Sequence, residues 1–376
     1  MIQLLIMIII AFLLYMLQLK VYSEVWDAKL EVELSFQPTE MFEGDEGCLS
    51  EVIVNDKRLP LPLFNVKFQT DRNLLFHDSM ETQKTDQYYR NDAFRIGGHE
   101  KLTRNLTFVA NRRGCYQIEA VDLVASDLFL STTIVTKHEL EQKKFLYVYP
   151  KPFYSREFIR SLQMVNGLLQ TKTQFLEDPF EYRGIREYQP YDDMKSINWK
   201  ATAKTGDLKV NLRDFTAVKS IRIFLNLEDE GIVKRQDCAE VCIRMAAGIV
   251  KYFSERGMKV ACFGNCQEAY SKKVLSLRSG SPLQDIYRSL AQIDLSKETV
   301  SFENYFANRM LTQTAGEYTF VISMNAYEDF VRILQGYHQI CGDFMWFYPT
   351  NQRELPELPG ELKDCFKPIN IQHMGI

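Results

Sequence analysis

Three groups of residues in this chain have types and spacings that chemistry could use. Two cysteine pairs, Cys238/Cys242 in "CAEVC" and Cys262/Cys266 in "CFGNC", offer four thiols to a soft cation. On a helix the first pair shares one face at i, i+4, and the second straddles a strand end. Zinc sites use tighter spacings, so buried free cysteines of an α/β core are the expected reading. "HELEQ", His138 to Gln142, starts like a metalloprotease helix but lacks the second histidine of H-E-x-x-H. There is no P-loop and no G-x-S-x-G, and five histidines leave few bases that titrate near neutral pH. Asp and Glu are plentiful, so a glycosidase-type carboxylate pair stays open. The expectation is a chain with no catalytic residue, metal or cofactor.

The third group is the densest. "REYQPYDDMKSINWKATAKTGDL" gathers Arg186, Glu187, Tyr188, Asp192, Asp193, Lys195, Lys200, Lys204 and Asp207 around Trp199. Asp192 is placed to cap a short turn running from Met194 to Ile197. Ile197 and Trp199 are then expected to face inward, with Lys195, Lys200 and Lys204 pairing with Glu187, Asp193 and Asp207. Gly206 breaks the turn before "LKVNLRDF" starts as a strand. Two uses fit this network. One is a salt-bridged clasp between domains. The other is a docking surface, since Arg and Tyr beside an aromatic are frequent interface anchors. A clasp whose outer charges contact a partner is both, so Arg186, Glu187, Tyr188, Asp192, Asp193, Lys195, Trp199, Lys200 and Lys204 are the candidate partner-binding residues.

The elements that must position these groups fall into four segments. Residues 1–22 open with "MIQLLIMIIIAFLLYMLQLK", where only Gln3 and Gln18 interrupt the apolar run from Ile2 to Leu19. As a helix that run rises about 27 Å, enough for a bilayer core. No basic residue precedes it and no small-x-small cleavage site follows, so the expectation is an uncleaved single-pass anchor in the cell membrane. Lys20 and Lys29 follow the span, which by the positive-inside rule puts the soluble body in the cytoplasm.

Residues 27–150 have period two and frequent breakers. "KLEVELSF", "CLSEVIVN", "LTRNLTFVA" and "KKFLYVYP" read as short strands of an antiparallel β-sandwich. "HDSMETQKTDQYYRNDAFRIGGHE" reads as a long loop or irregular hairpin. Residues 151–219 hold a helix in "SREFIRSLQMVNGLLQ", with Phe158, Leu162 and Val165 on one face and an end near Gly167, then the charged segment. In residues 220–376 the period changes. "SIRIFLNL", "MKVACFG", "EYTFVIS" and "DFMWFYP" are apolar runs of buried parallel strands. They alternate with helices in "KRQDCAEVCIRMAAGIVKYFSERG", "SPLQDIYRSLAQI", "FENYFANRMLTQ" and "AYEDFVRILQGYHQ". That alternation means a doubly wound α/β sheet.

Composition bounds the rest. Hydrophobic content of 46% and charged content of 25% in 376 residues describe a globular chain of more than one domain. A net charge of −4 gives no basic field for nucleic acid. The eight cysteines are scattered, unlike the dense framework of a small secreted domain.

The charged segment also resembles the signature of the bacterial family called domain of unknown function 58, R-E-Y-x-x-G-D-x-x-R-x-I-D-W-K-x-x-A-R. Arg186, Glu187, Tyr188, Asp192, Ile197, Trp199, Lys200 and Ala203 match it. Tyr191 stands for the glycine, and Lys195, Asn198 and Lys204 stand for Arg, Asp and Arg. "RLPLPLFNV" (Arg58 to Val66), "RRGCYQIEAVDLVASDLF" (Arg112 to Phe129) and "YVYP" extend the resemblance over nearly the whole chain. It implies a membrane anchor, a β-rich domain and a von Willebrand factor A-like α/β domain. It also implies a MoxR-type AAA+ ATPase as partner.

A-like domains often bind Mg²⁺ through D-x-S-x-S after the first sheet strand, an oxygen shell that suits a hard cation. Here that position reads "LNLEDEG", with Asn226, Glu228 and Glu230 in place of Asp, Ser and Ser. The pattern is lost. The sequence therefore points to an α+β multidomain, membrane-tethered, non-enzymatic scaffold working with an AAA+ ATPase. The alternative is a metal- or ligand-binding A-domain module at the cell surface.

Overall fold

In the computed structural model, Ile2–Val25 forms one helix, α1. The structure describes residues 2–77, 87–139, 144–175, 182–189, 194–213, 220–229, 235–271, 273–310, 317–351 and 355–371. Two units divide the chain, Met1–Lys151 and Pro152–Ile376.

The helix α1 is long and apolar enough to cross a membrane. Its side chains from Ile2 to Leu14 are exposed. From Tyr15 onward a stripe at helical spacing (Tyr15, Gln18, Leu19, Tyr22, then Trp26 just beyond) loses exposure toward the β domain. Tyr22 and Trp26 are 1% and 2% exposed and belong to the β-domain core. Tyr22 also donates its hydroxyl to the Pro60 carbonyl at 2.7 Å. The helix therefore enters the β domain rather than ending before it.

The β domain runs as β1 (Leu30–Gln37), β2 (Glu40–Phe42), β3 (Glu46–Asn55), β4 (Leu61–Asp71), β5 (Leu74–Phe76), β6 (Gln87–Ile96), β7 (Glu100–Ala110), β8 (Gly114–Gln117), β9 (Ala120–Ser126), β10 (Thr133–Glu139) and β11 (Phe145–Tyr149). Two four-stranded antiparallel sheets, β1-β3-β7-β5 and β10-β9-β4-β6, bury a common core, beside a three-stranded sheet β2-β11-β8. Alternation inside β1, from Leu30 through Val32, Leu34 and Phe36, sends one face to that core. The polar stretch expected as a long loop or irregular hairpin is more regular than that in part: it holds the ten-residue strand β6, paired with β4 from Leu61↔Ile96 to Asp71↔Gln87 with one register shift. Tyr88, Tyr89 and Phe94 suit a strand, and the polar residues between them masked that alternation.

At the end of β9 the chain turns around Asp127, which has no exposed surface. Its carboxylate accepts from the Ser131 and Thr132 backbone N–H groups, both at 2.7 Å, and from the Ser131 hydroxyl at 2.9 Å. Gln18 of α1 donates to it at 3.2 Å. Burial alone would raise the carboxyl pKa, but these hydrogen bonds outweigh it and hold Asp127 down at about 2. A depressed carboxyl stabilises the fold above its unfolded value of 3.8, and that contribution is lost as pH falls toward 2. Asp127→Asn is therefore expected to be less stable than wild type at neutral pH. The gap between their melting temperatures should close as pH drops through that window. A gap that stays constant with pH would rule out the ionised carboxylate as its source.

The second unit begins with α2 (Arg156–Phe175), followed by β12 (Tyr182–Glu187), α3 (Trp199–Thr205) and β13 (Lys209–Arg213). The expected end near Gly167 is overrun. Leu169 continues the buried stripe of Phe158, Leu162 and Val165, and one glycine costs a helix only about 1 kcal/mol. The α/β part comprises β14 (Ser220–Asn226), α4 (Gln236–Ser254), β15 (Lys259–Gln267), β16 (Val274–Leu277), α5 (Leu283–Gln292), α6 (Phe302–Met310), β17 (Glu317–Ser323), α7 (Glu328–Cys341), β18 (Met345–Thr350) and β19 (Phe366–Asn370). Its sheet has the order β16-β15-β14-β17-β18-β19, with every neighbouring pair parallel except β16 against β15.

Register puts Phe263, Phe224, Val321, Trp346 and Phe366 in one row across the sheet. Phe302 and Phe306 of α6, with Phe330 and Leu334 of α7, close over that row. On the opposite face Phe320 and Phe347 meet Phe253 of α4 and Phe158 of α2. Helices thus cover both faces, the arrangement that near-continuous apolar strands require.

Close approach explains one glycine. A Cβ at Gly248 of α4 would lie 2.9 Å from the Phe153 carbonyl oxygen, where the chain entering α2 crosses. The Phe153 N–H donates to the Arg244 carbonyl at 2.9 Å in the same crossing.

Candidate functional site

The charged segment folds back on itself. Strands β12 and β13 pair antiparallel, Arg186 opposite Val210 and Glu187 opposite Lys209. A 3-10 turn (Met194–Ser196) and α3 lie between them. Asn198 organises this excursion. Its side chain accepts from the Ala201 N–H at 2.9 Å, capping α3, and donates to Asn211 Oδ1 at 2.6 Å. Its backbone N–H donates to the Lys209 carbonyl at 2.7 Å. Thr202 Oγ1 accepts from the Lys209 N–H at 3.0 Å, and Gly206 ends α3 at φ 80°, where glycine is favoured.

This scaffold corrects the expected place of Trp199. The inward position belongs to Ile197, 6% exposed and bridged to Val210. Trp199 is the first residue of α3 and stands 66% exposed. The physical reason is the Asn198 cap. Locking Asn198 to Lys209 and Asn211 fixes Ile197 against β13 and turns the next side chain outward. Met194, Ile185 and Leu208 are also exposed, as are Lys195, Lys200 and Lys204.

Of the carboxylates expected to pair with Lys195, Lys200 and Lys204, Glu187 is engaged by a different lysine. Glu187 pairs with Lys209 at 3.1 Å, directly across the strands, and Arg186 donates to the Glu187 carbonyl at 3.0 Å. The Tyr188 N–H donates to the Leu208 carbonyl at 2.9 Å, extending the hairpin. Asp192 and Asp193 lie outside the described residues. The residue that reasoning from sequence missed is Asn198. Its signal was available, since an Asn directly before a helical run is a cap.

A second polar cluster sits where the parallel strands end. Asn226, fully buried, accepts from Asn265 Nδ2 at 2.8 Å and from the Glu228 N–H at 3.0 Å, and donates to Ser323 Oγ at 3.2 Å. Asn265 in turn accepts from the Leu227 N–H at 2.9 Å. Asp229 is engaged by Arg235 through the guanidinium at 3.1 Å and the backbone N–H at 2.8 Å. A cavity of about 50 Å³ opens beside it, lined by Leu227, Asp229, Arg235, Ala239, Cys266 and Met324. Ligands of open α/β sheets favour this end of the strands. Here, however, amides occupy each other, and an arginine occupies the carboxylate a cation would want. Glu230 lies outside the described residues.

Burial pushes the thiols of Cys238, Cys242 and Cys262 up, which favours neutral groups over metal-binding thiolates. Among the described residues, one trio of donors converges elsewhere. His338, Asp343 and Cys365 place their ligand atoms within 4.8 Å of one another. Burial raises the Cys365 thiol, and the Phe344 backbone offsets only part of that rise. Elemental analysis of the purified chain is expected to find no stoichiometric Mg²⁺ or Zn²⁺. One zinc per chain, lost in His338→Ala, would reverse this and place the metal at the trio.

No family model matches the chain, and no curated protein matches it. Solved structures with partial likeness include a non-cellulosomal cohesin from the hyperthermophilic archaeon Archaeoglobus fulgidus, 13% identical with a TM-score of 0.20, covering 31% of this chain and 93% of that one. Another is the cupredoxin domain of amoB from Nitrosocaldus yellowstonii, 11% identical with a TM-score of 0.19, covering 34% and 96%. A third is Spo0M, sporulation control protein, from Bacillus subtilis, 10% identical with a TM-score of 0.18, covering 43% and 58%. At these scores the likenesses carry no argument about what the chain does.

Proposed function

We propose that this chain is a membrane-tethered, non-enzymatic scaffold of the domain-of-unknown-function 58 type. In this reading α1 is its single-pass anchor and the body lies in the cytoplasm. Its α/β part is von Willebrand factor A-like, a reading supported by the doubly wound sheet. The β12–β13 hairpin is the docking surface for a MoxR-type AAA+ ATPase. One observation carries the reading: Trp199 stands exposed on a hairpin whose backbone is tied down by Asn198, Thr202 and Lys209. An exposed tryptophan on a hydrogen-bonded scaffold, with Arg186 and Tyr188 in the same segment, has the side-chain types enriched in interface hot spots. The metal-binding alternative is disfavoured by the strand-end cluster, where Asn226 bonds to Asn265 and Arg235 neutralises Asp229.

The test is affinity capture of the tagged full chain from membranes in the presence of ATP. A MoxR-type ATPase is expected among the captured proteins, at lower yield from Trp199→Ala. Equal yields from both chains would remove the hairpin from the interface. Capture of an extracellular ligand instead would favour the surface-module alternative.

A further inference from the structure

The turn between β9 and β10 exposes three consecutive large apolar residues. Leu128, Phe129 and Leu130 are 48%, 69% and 60% exposed, side by side in sequence, whereas the β domain's other exposed large apolar residues, such as Leu75 and Val135, stand singly. Their conformation is built rather than accidental. The Asp127 carboxylate accepts from the Phe129 N–H at one end of the turn and from the Ser131 and Thr132 N–H groups and the Ser131 hydroxyl at the other, and Leu130 adopts φ 56° at the tip. A non-glycine residue at positive φ is uncommon and marks a turn held by its surroundings.

The turn is also bolted to α1. Tyr15 donates its hydroxyl to Ser131 Oγ at 2.9 Å, and Gln18 donates to Asp127 at 3.2 Å. The Tyr15 and Phe129 rings lie 6.1 Å apart. Tyr15 and Gln18 belong to the apolar run from Ile2 to Leu19 that makes the span. Met16 and Leu17, on the same helical turn, are 50% and 59% exposed. Whatever solvates Met16 and Leu17 therefore surrounds the tip as well. Lys20 follows one turn later, where a cation reaches the headgroups.

We infer that the Leu128–Leu130 tip is a second membrane-contacting element, inserted beside α1 at the boundary between acyl chains and headgroups of the bilayer. The inference rests on the anchor reading of α1. Continuity of the tip with the exposed apolar surface of that helix selects lipid over a protein partner as its occupant. The inserted turn brings its one carboxylate fully hydrogen-bonded, which lowers the cost of holding Asp127 next to hydrocarbon. Tyr15, an amphipathic aromatic, favours this depth, and the wholly apolar Phe129 beside it favours the acyl-chain side. The β domain would then stand against the membrane at two adjacent points and could not swivel about α1.

Site-directed spin labelling of the full chain in phospholipid nanodiscs tests this. Single labels go on Phe129→Cys, Leu128→Cys, Ala11→Cys and, as a water reference, Lys363→Cys. The background changes the half-buried Cys48, Cys115 and Cys341 to serine. The ratio of oxygen to nickel-chelate accessibility is expected to be severalfold higher at 128 and 129 than at 363, with 11 higher still. If 11 is lipid-exposed but 128 and 129 match 363, the insertion is wrong and the anchor stands. If 11 also matches 363, both are wrong. Immobilised labels at 128 and 129 that neither reagent reaches would mean a protein covers the tip, which also overturns the proposal.

Discussion

Trp26→Ala is expected to cost about 3–5 kcal/mol of β-domain stability, the usual price of deleting a buried large aromatic. Trp26 follows a helix fit to span a membrane, and a simple tether would tolerate its loss. Here it is 2% exposed and packs in one cluster with Leu30, Phe64 and Leu123. Tyr22 adds a second aromatic and a hydrogen bond to Pro60. A domain of this size has only about 5–15 kcal/mol in hand, so the change removes a large share. A chain cut after Tyr22 loses a core residue, whereas one cut before Tyr15 keeps the whole stripe. Urea unfolding of the solubilised full chain, wild type against Trp26→Ala, gives the measurement. A midpoint unchanged within error would mean that α1 ends free of the β domain.

Trp199→Ala is expected to do the opposite, leaving stability within about 0.5 kcal/mol while removing most of the partner affinity. Truncated hot-spot tryptophans cost roughly 2–4 kcal/mol of binding, which is about 30- to 1000-fold in Kd. Ile197→Ala is the paired control. It removes the buried neighbour and should cost about 2–5 kcal/mol of stability. Arg186→Ala and Lys200→Ala should leave stability within roughly 0.5 kcal/mol and weaken capture as rim charges do. If Trp199→Ala melts like Ile197→Ala, its outward placement is wrong. If it melts like wild type and captures the ATPase equally well, the docking role falls.

How much of this was legible beforehand depended on what each residue reports. Strands buried on both faces announce themselves, and "SIRIFLNL" became β14, all seven residues of which are buried. Strand β6 was hidden because half-buried strands read only through alternation, and Gln87, Arg90, Asn91 and Asp92 dilute it. Strand β19 was missed because "FKPIN" carries a proline, which argues against a strand; it lies at the sheet edge, where proline is tolerated. Trp199 was misplaced for another reason. Hydrophobicity says that a side chain prefers burial, but the Asn198 cap decides which of two adjacent apolar residues receives it. The stripe from Tyr15 to Trp26 was invisible for a third. In a run that is apolar throughout, no periodic contrast marks the side that touches protein.

That stripe has a consequence for the order of events during synthesis. Tyr22 and Trp26 leave the ribosome at the start, while Val121 and Leu123, which complete their core, are made about 100 residues later. At about 5–20 residues per second the interval is on the order of 5–20 s. Throughout it, two aromatics of that core stand without their partners. On the proposed anchor reading they wait at the rim of the segment that enters the bilayer, so insertion of α1 precedes closure of the first domain. Over that interval the unfinished core is exposed surface of the kind that chaperones and proteases recognise.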